Sequence, residues 1–314
     1  MLIYGQPNET QEIIISEWEA NRVNDVILSP EHAAWLIENG KGSPDMKVMS
    51  NMVDVSRAAV SPNAWNHDWW TGGRWPGDTD GITRSHLVIP YRFRSGYSND
   101  QRAYDLVHHH MERISTEYMN GCIQYVDDTS TQAHSTYIDI RNDEGCNSWV
   151  GWLGKHQAGR TNAMSLSWKN QYNNCHDRYI IQHEFLHATG FNHEQTRPDR
   201  DEHIKVWYEN INESDFWLYD KYPEPIWMNM SSPYDVRSVM HYGYWAGLTQ
   251  EAGNAGLYAM SDIETGAPVQ DPMVKRMSSE DAFQLQKMYP DFCPEPLPTR
   301  PCADGQLYLI NFAW

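Results

Sequence analysis

The chain has 314 residues, enough for one large domain or two small ones, and either could bury a stable core. Asp and Glu number 42 against 24 Lys and Arg, a formal charge of −18 without any Arg-rich run, which argues against nucleic acid and anionic membrane as partners. No stretch approaches the ~18 consecutive apolar residues of a membrane span, and the opening Met-Leu-Ile-Tyr-Gly-Gln has neither the basic nor the apolar region of a secretory signal, so an exported chain would have shed its leader.

Residues 1–62 mix short apolar runs such as Ile13-Ile14-Ile15 with polar stretches and carry no periodicity that predicts a core of their own. From Val88 the run Val-Ile-Pro-Tyr-Arg-Phe predicts a strand, and Pro90 predicts that its local pairing is at an edge. A helix follows, with capping-box spacing in Ser98-Asn-Asp-Gln101 and an apolar face of Ala103, Leu106, Val107, His110, Met111, Ile114 and Tyr118. The β-prone runs 122–126, 137–140 and 163–168 supply further strands of a small sheet. A second helix starts at His176-Asp177 and stops at Gly190, and a last one runs from the cap at Ser278-Ser-Glu-Asp281 to Met288. Between them the chain is irregular and rich in Trp, Tyr and Pro, and the prolines from Pro290 to Pro301 predict a tail.

The second helix carries the chemistry, in the string His183-Glu184-Phe-Leu-His187-Ala-Thr-Gly190-Phe-Asn-His193-Glu194. Residues i and i+4 share a helix face, so His183 and His187 point imidazoles at one ion. A third ligand has to arrive from another direction, and Gly190, which tolerates positive φ, lets the helix end and returns His193 to the site. Three neutral His ligands leave Zn²⁺ its full charge and an open position, the arrangement of a catalytic site. Glu184 can lie beside the water that fills this position and serve as general base, so peptide hydrolysis follows, and with the family resemblance below the cut is expected to be internal. The extra Gly and third His, with Ser238-Val-Met-His-Tyr242 about fifty residues on, make the string far more specific than His-Glu-x-x-His alone.

With Glu194 after the third His and the Ser-Val-Met-His-Tyr form of the Met-turn, the sequence resembles the astacin family of metzincin metallopeptidases over residues 75–293. The resemblance implies an α+β, two-lobed zincin-like domain at 63–293, with a small, twisted, mostly antiparallel-edged sheet, long helices and an irregular C-terminal lobe. It implies one catalytic zinc, polypeptide substrates, Met240 as a floor beneath the metal, and Tyr242 as a displaceable ligand that donates to the oxyanion. Residues 1–62 become a candidate propeptide, 294–314 a Pro-rich tail, and the protein a secreted monomer awaiting an activating protease. The family's Phe-x-Gly-Asp propeptide motif is absent; Asp54 is the preferred switch aspartate, with Asp78 in Trp75-Pro-Gly-Asp as the other candidate. The mature N-terminus, near Asn63 or after Arg57, would approach Glu194.

Five cysteines fit either two disulfides in an oxidising compartment or buried thiols in a cytosolic protein. The resemblance implies the bridges Cys122–Cys293 and Cys146–Cys175, and leaves Cys302 as a free thiol, an intermolecular bridge or a link to another domain. Of the weaker signals, His108-His109-His110 cannot chelate together on a helix, and Lys275 and Arg276 are either a preference for acidic side chains or plain surface charge. The run 163–168 is either the cleft's upper edge or an ordinary strand, and Asn8, Asn212 and Asn229 begin glycosylation sequons. The competing class is a catalytically silent, zinc-containing binding module, against which intact Glu184 and Tyr242 argue.

Overall fold

The computed structural model describes residues 22–23, 26–27, 74–77, 85–143, 145–152, 162–168, 175, 177–221, 232–269, 276–293, 299–301 and 307–309. The upper lobe is a sheet of order β1-β2-β6-β7-β5-β3-β4. Its strands are β1 (Arg22–Val23), β2 (Val26–Ile27), β3 (Leu87–Phe93), β4 (Ile123–Asp127), β5 (Ile138–Arg141), β6 (Cys146–Trp149) and β7 (Asn162–Leu166). The pairs β3/β4, β3/β5 and β5/β7 are parallel, and β6 runs antiparallel to β7. Parallel neighbours need a crossover, which α1 (Gln101–Arg113) supplies between β3 and β4. At Pro90 only β4 lies alongside, since β5 pairs from Tyr91 onward, so the missing N–H costs no ladder bond there.

One open alternative is decided and two expectations change. The run 163–168 is not an edge: β7 is buried at all five positions and lies between β5 and β6. Its outer neighbour is β6, whose Cys-Asn-Ser-Trp has neither alternation nor β-branched residues to announce it, and which would be an edge but for its pairing with β2. The cap of α1 is Asp100, whose carboxylate accepts the Arg102 N–H, while Ser98 Oγ accepts the N–H of Asp100 itself. In the tail, β10 (Thr299–Pro301) and β11 (Leu307–Leu309) pair antiparallel, so a hairpin replaces part of the expected linker. Asp54, Asp78, Lys275, Cys302, Asn8 and Asn229 lie outside the described residues.

Helix α1, extended by a π-turn at Ile114–Tyr118, buries Val107, Met111 and Ile114 against the sheet, together with α2 (Arg178–Thr189) and α4 (Ser279–Met288). Below them the lobe is built from short 3₁₀ turns, a β8 (Ile204–Val206) and β9 (Met260–Asp262) pair and the single-turn helix α3 (Gln250–Asn254). A second apolar cluster, including Ile204, Ile211, Tyr219, Ala259 and Met260, holds it together. Disulfides join Cys122 to Cys293 and Cys146 to Cys175, so the first ties the start of β4 to the end of α4 and the second ties β6 to the approach of α2.

One fully buried carboxylate organises the loop after β4. Asp128 accepts Nε and Nη2 of Arg92, the Thr131 hydroxyl and the N–H groups of Ala133 and His134. Burial would raise its pKa, but the bonds from Thr131, Arg92 and the two amides outweigh it and hold the carboxyl well below the usual range. Asp128→Ala removes the counter-charge of Arg92, which keeps its bond to the His134 carbonyl, and leaves three donors without their acceptor, so urea unfolding is expected to show a loss of about 3–5 kcal/mol.

Candidate metal centre

Helix α2 begins at Asp177, whose carboxylate accepts the Tyr179 N–H at 2.9 Å, and every residue from Ile181 to Thr189 is buried. A helix enclosed on all sides has its polar residues there for reasons other than solubility. It ends at Gly190, with φ +127°, whose N–H reaches the carbonyls of Leu186 and His187 at 3.1 and 2.9 Å. The positive φ demands glycine, and a Cβ there would stand 2.9 Å from Met288 Sδ, so that the methionine would also have to shift. The last carbonyls of α2 are taken by distant groups: Ala188 O accepts Trp75 Nε1–H at 2.7 Å, and Thr189 O accepts the Tyr289 hydroxyl at 2.8 Å.

The break sends His193 back beside the helix. Nε2 of His187 lies 3.0 Å from Nε2 of His183 and 3.2 Å from Nε2 of His193. The contact between His183 and His187 is not a hydrogen bond between rings. His183 Nδ1–H donates to the Val239 carbonyl at 2.8 Å and His187 Nδ1–H to that of Phe191 at 2.7 Å, which leaves lone pairs on the facing Nε2 atoms. Buried lone pairs at that distance repel unless a cation lies between them. Two nitrogens each ~2.0–2.1 Å from one tetrahedral ion would stand about 3.3 Å apart, so the spacing fits a shared Zn²⁺. Among the described residues these three are the group with metal-ligand spacing, their ligand atoms all within 4.8 Å. His110 is a separate buried residue of α1, its pKa pushed down to about 4 first by burial.

Ser238-Val-Met-His-Tyr242 packs against this centre. Besides the Val239 carbonyl, Met240 O accepts the Glu194 N–H at 3.1 Å, and the Tyr242 ring lies 4.2 Å from that of His193. Met240 and Glu184 are each 1% exposed. Sequence reasoning missed Gln195, whose Oε1 accepts the Tyr242 N–H at 3.1 Å, and Arg197, whose Nη1 donates to Glu194 Oε1 at 3.0 Å. Both fall just after the motif, where proximity to His193 was the available signal. Glu194 Oε1 also accepts the Asp235 N–H at 2.9 Å.

Behind Glu194 lies an acidic cluster of Asp235, Glu280 and Asp281, with Arg197 set against it. Burial pushes Glu194 up to about 8 despite Arg197, and raises Asp281, with Asp235 adding to that rise. Burial first, then Asp235 and Asp281, pushes Glu280 up to about 7.

Fold and centre together define a zinc-dependent metallopeptidase. The family model for the Astacin peptidases matches residues 81–290, and the chain belongs to the astacin family of zinc metalloendopeptidases. Low choriolytic enzyme of Oryzias latipes is 30% identical over 221 residues, 69% of this chain and 69% of that protein. Zinc metalloproteinase nas-12 of Caenorhabditis elegans is 31% identical over 286 residues, 88% of this chain and 61% of that one. The matches to nas-15 and nas-14 of the same organism span 31% and 28% of those longer proteins. The structure of high choriolytic enzyme 1, a hatching enzyme zinc-protease from Oryzias latipes, aligns with a TM-score of 0.54 at 27% identity, covering 70% of this chain and 96% of that one.

The acidic cluster gives a pH test. Glu280 binds its proton more tightly folded than unfolded, so its contribution is full below its ordinary value near 4.5 and is lost as pH rises to about 7. Glu280→Gln removes that loss. Urea unfolding is expected to show the variant more stable than wild type at pH 8, by on the order of 1 kcal/mol after solvent screening, with the gain vanishing at pH 4.

Proposed function

We propose that His183, His187 and His193 hold the zinc, that Glu184 is the general base and that Tyr242 is the displaceable ligand and oxyanion donor of an endopeptidase made as a zymogen. The convergence of the three Nε2 atoms, with a carboxylate one residue after the first of them, is the observation that carries this reading. When bound, Zn²⁺ supplies a Lewis acid for the scissile carbonyl and brings the pKa of a coordinated water to about 7. Glu184 accepts the proton of the attacking water and returns it to the leaving amine. The Tyr242 phenol, beside His193, donates to the oxyanion as charge builds there.

The sheet edge supports a substrate held in extended form. β6 ends at Trp149, and two residues later the Gly151 N–H donates to the His187 carbonyl at 2.8 Å, so this edge runs alongside the zinc helix. A polypeptide would add to it by backbone pairing. In this chain β2 takes that position, with Val26 opposite Ser148 and Ile27 opposite Trp149 in parallel register. A segment from residues 1–62 on the substrate edge supports their role as a propeptide. The acidic cluster supports the second half of activation: Glu194, Asp235, Glu280 and Asp281 exceed the charge of Arg197, and a freed α-ammonium would offset part of the surplus. Two disulfides support an extracellular, oxidising location. The working form is a monomer, acted on by an activating protease.

Glu184→Gln is expected to lower kcat on an internally quenched peptide by about 10²–10⁴-fold with zinc content unchanged, and chelation to abolish cleavage until zinc is restored. Metal-replete protein that stays idle after removal of residues 1–62 would instead favour the silent binding module. Asp54→Ala, compared with Asp78→Ala, is expected to raise the activity of the uncleaved chain, measured with the same peptide before any N-terminal processing. No rise in either would remove the aspartate switch.

A further inference from the structure

The last helix is joined to the metal centre by a carboxylate that touches neither the ion's position nor any of the three imidazoles. Asp281, 1% exposed, lies in the first turn of α4. Its Oδ1 accepts the Ser238 hydroxyl at 2.5 Å, and its Oδ2 accepts the N–H groups of Val239 at 3.0 Å and Ser278 at 2.8 Å. Ser238 Oγ in turn accepts the Met240 N–H at 2.9 Å. The peptide unit between Val239 and Met240 is therefore held at its N–H through Ser238, and at the preceding N–H by Asp281 directly. Because a peptide unit is planar, fixing its N–H fixes the direction of its carbonyl. That carbonyl is the Val239 oxygen that receives His183 Nδ1–H at 2.8 Å.

We propose that Asp281 is a positioning residue for the zinc. Acting through Ser238 and the Val239–Met240 peptide, it sets the tautomer and orientation of His183 and so couples metal affinity to the seating of the last helix. The proposal rests on His183 being a ligand. Partners of a ligating imidazole's second nitrogen hold the ring with its lone pair on the metal, and losing them weakens binding. The residue type fits the task. Three donors converge on the carboxylate, which only accepts, whereas an amide would turn an NH₂ against one of them. Ser238 is equally specific, since it donates to Asp281 and accepts from Met240 with a single hydroxyl.

Asp281 has a second duty, and the test has to separate the two. It closes the capping box of α4, receiving the Ser278 N–H while its own N–H donates to Ser278 Oγ at 2.9 Å. Ser278→Ala weakens this cap, with the Ser278 bond to Asp235, and leaves the bonds of Asp281 to Ser238 and Val239, whereas Ser238→Ala leaves the cap and removes the link from Asp281 through the hydroxyl to the Met240 N–H. Zinc affinity is measured on metal-stripped protein by competition with a chromophoric chelator, and His183 geometry by the absorption spectrum of the Co²⁺-substituted form. Ser238→Ala and Asp281→Asn are expected to bind zinc about tenfold more weakly and to shift the Co²⁺ bands. Ser278→Ala is expected to lose stability to urea while its zinc affinity stays within about twofold of wild type. Unchanged affinity and spectrum in Ser238→Ala, or an equal loss of affinity in Ser278→Ala, would overturn the proposal. If Asp281→Asn does not fold, Ser238→Ala decides alone. Failure of the wild-type chain to retain zinc would overturn the ligand assignment and this coupling with it, whereas zinc retained at equal affinity in wild type and Ser238→Ala would overturn the coupling alone.

Discussion

Three imidazole lone pairs directed at one point in a buried site are a repulsive arrangement, and the molecule tolerates it because a dication belongs at that point. Nε2 of His183 and Nε2 of His187, 3.0 Å apart, cannot hydrogen bond to one another while the second nitrogens of both rings give their protons to the Val239 and Phe191 carbonyls. The protein therefore devotes much of its surrounding structure to keeping those rings from turning away. The helix end at Gly190, the carbonyl of Phe191 and the loop at Ser238–Tyr242 all serve that one geometry.

The restraint comes from elements far apart in the chain. Trp75 and Tyr289 take the free carbonyls at the end of α2, so the turn that returns His193 is clamped from both sides of the domain. Gln195 and the Glu194 amide hold Tyr242 and Met240 against the next stretch of chain. The disulfide from Cys122 to Cys293 fixes the far end of the same α4 whose first turn reaches the Met-turn. A metal site built on one helix is thus stiffened by a sheet, a loop and a second helix, as ligand geometry within a few tenths of an ångström requires.

The strand beside the zinc helix and the acidic cluster are the two features on which the proposed zymogen reading rests. β6 is the strand that passes beside α2, and β2 covers it in the form described here. Glu194 meanwhile relies on Arg197 and one backbone amide, with Asp235, Glu280 and Asp281 close behind. Buried carboxylates so short of cations are costly, and the cost is relieved by whatever positive group next enters.

What the sequence determined was local. Residues i and i+4 on a helix, a glycine that ends it, a third histidine three residues on and a capping Asp or Ser are read directly, because helix geometry and φ preference act within one or two turns. The strand at Val88 and its one-sided pairing at Pro90 were legible for the same reason. What only the tertiary structure decided lies between distant segments: the Val239 carbonyl 56 residues from His183, Asp281 42 residues from Val239, and β6 inserted between β2 and β7. A short strand such as Cys-Asn-Ser-Trp has no periodic signal, and a backbone carbonyl has no residue type to betray it. Such partners are chosen by packing, since a buried donor or acceptor takes whichever group the fold brings within reach.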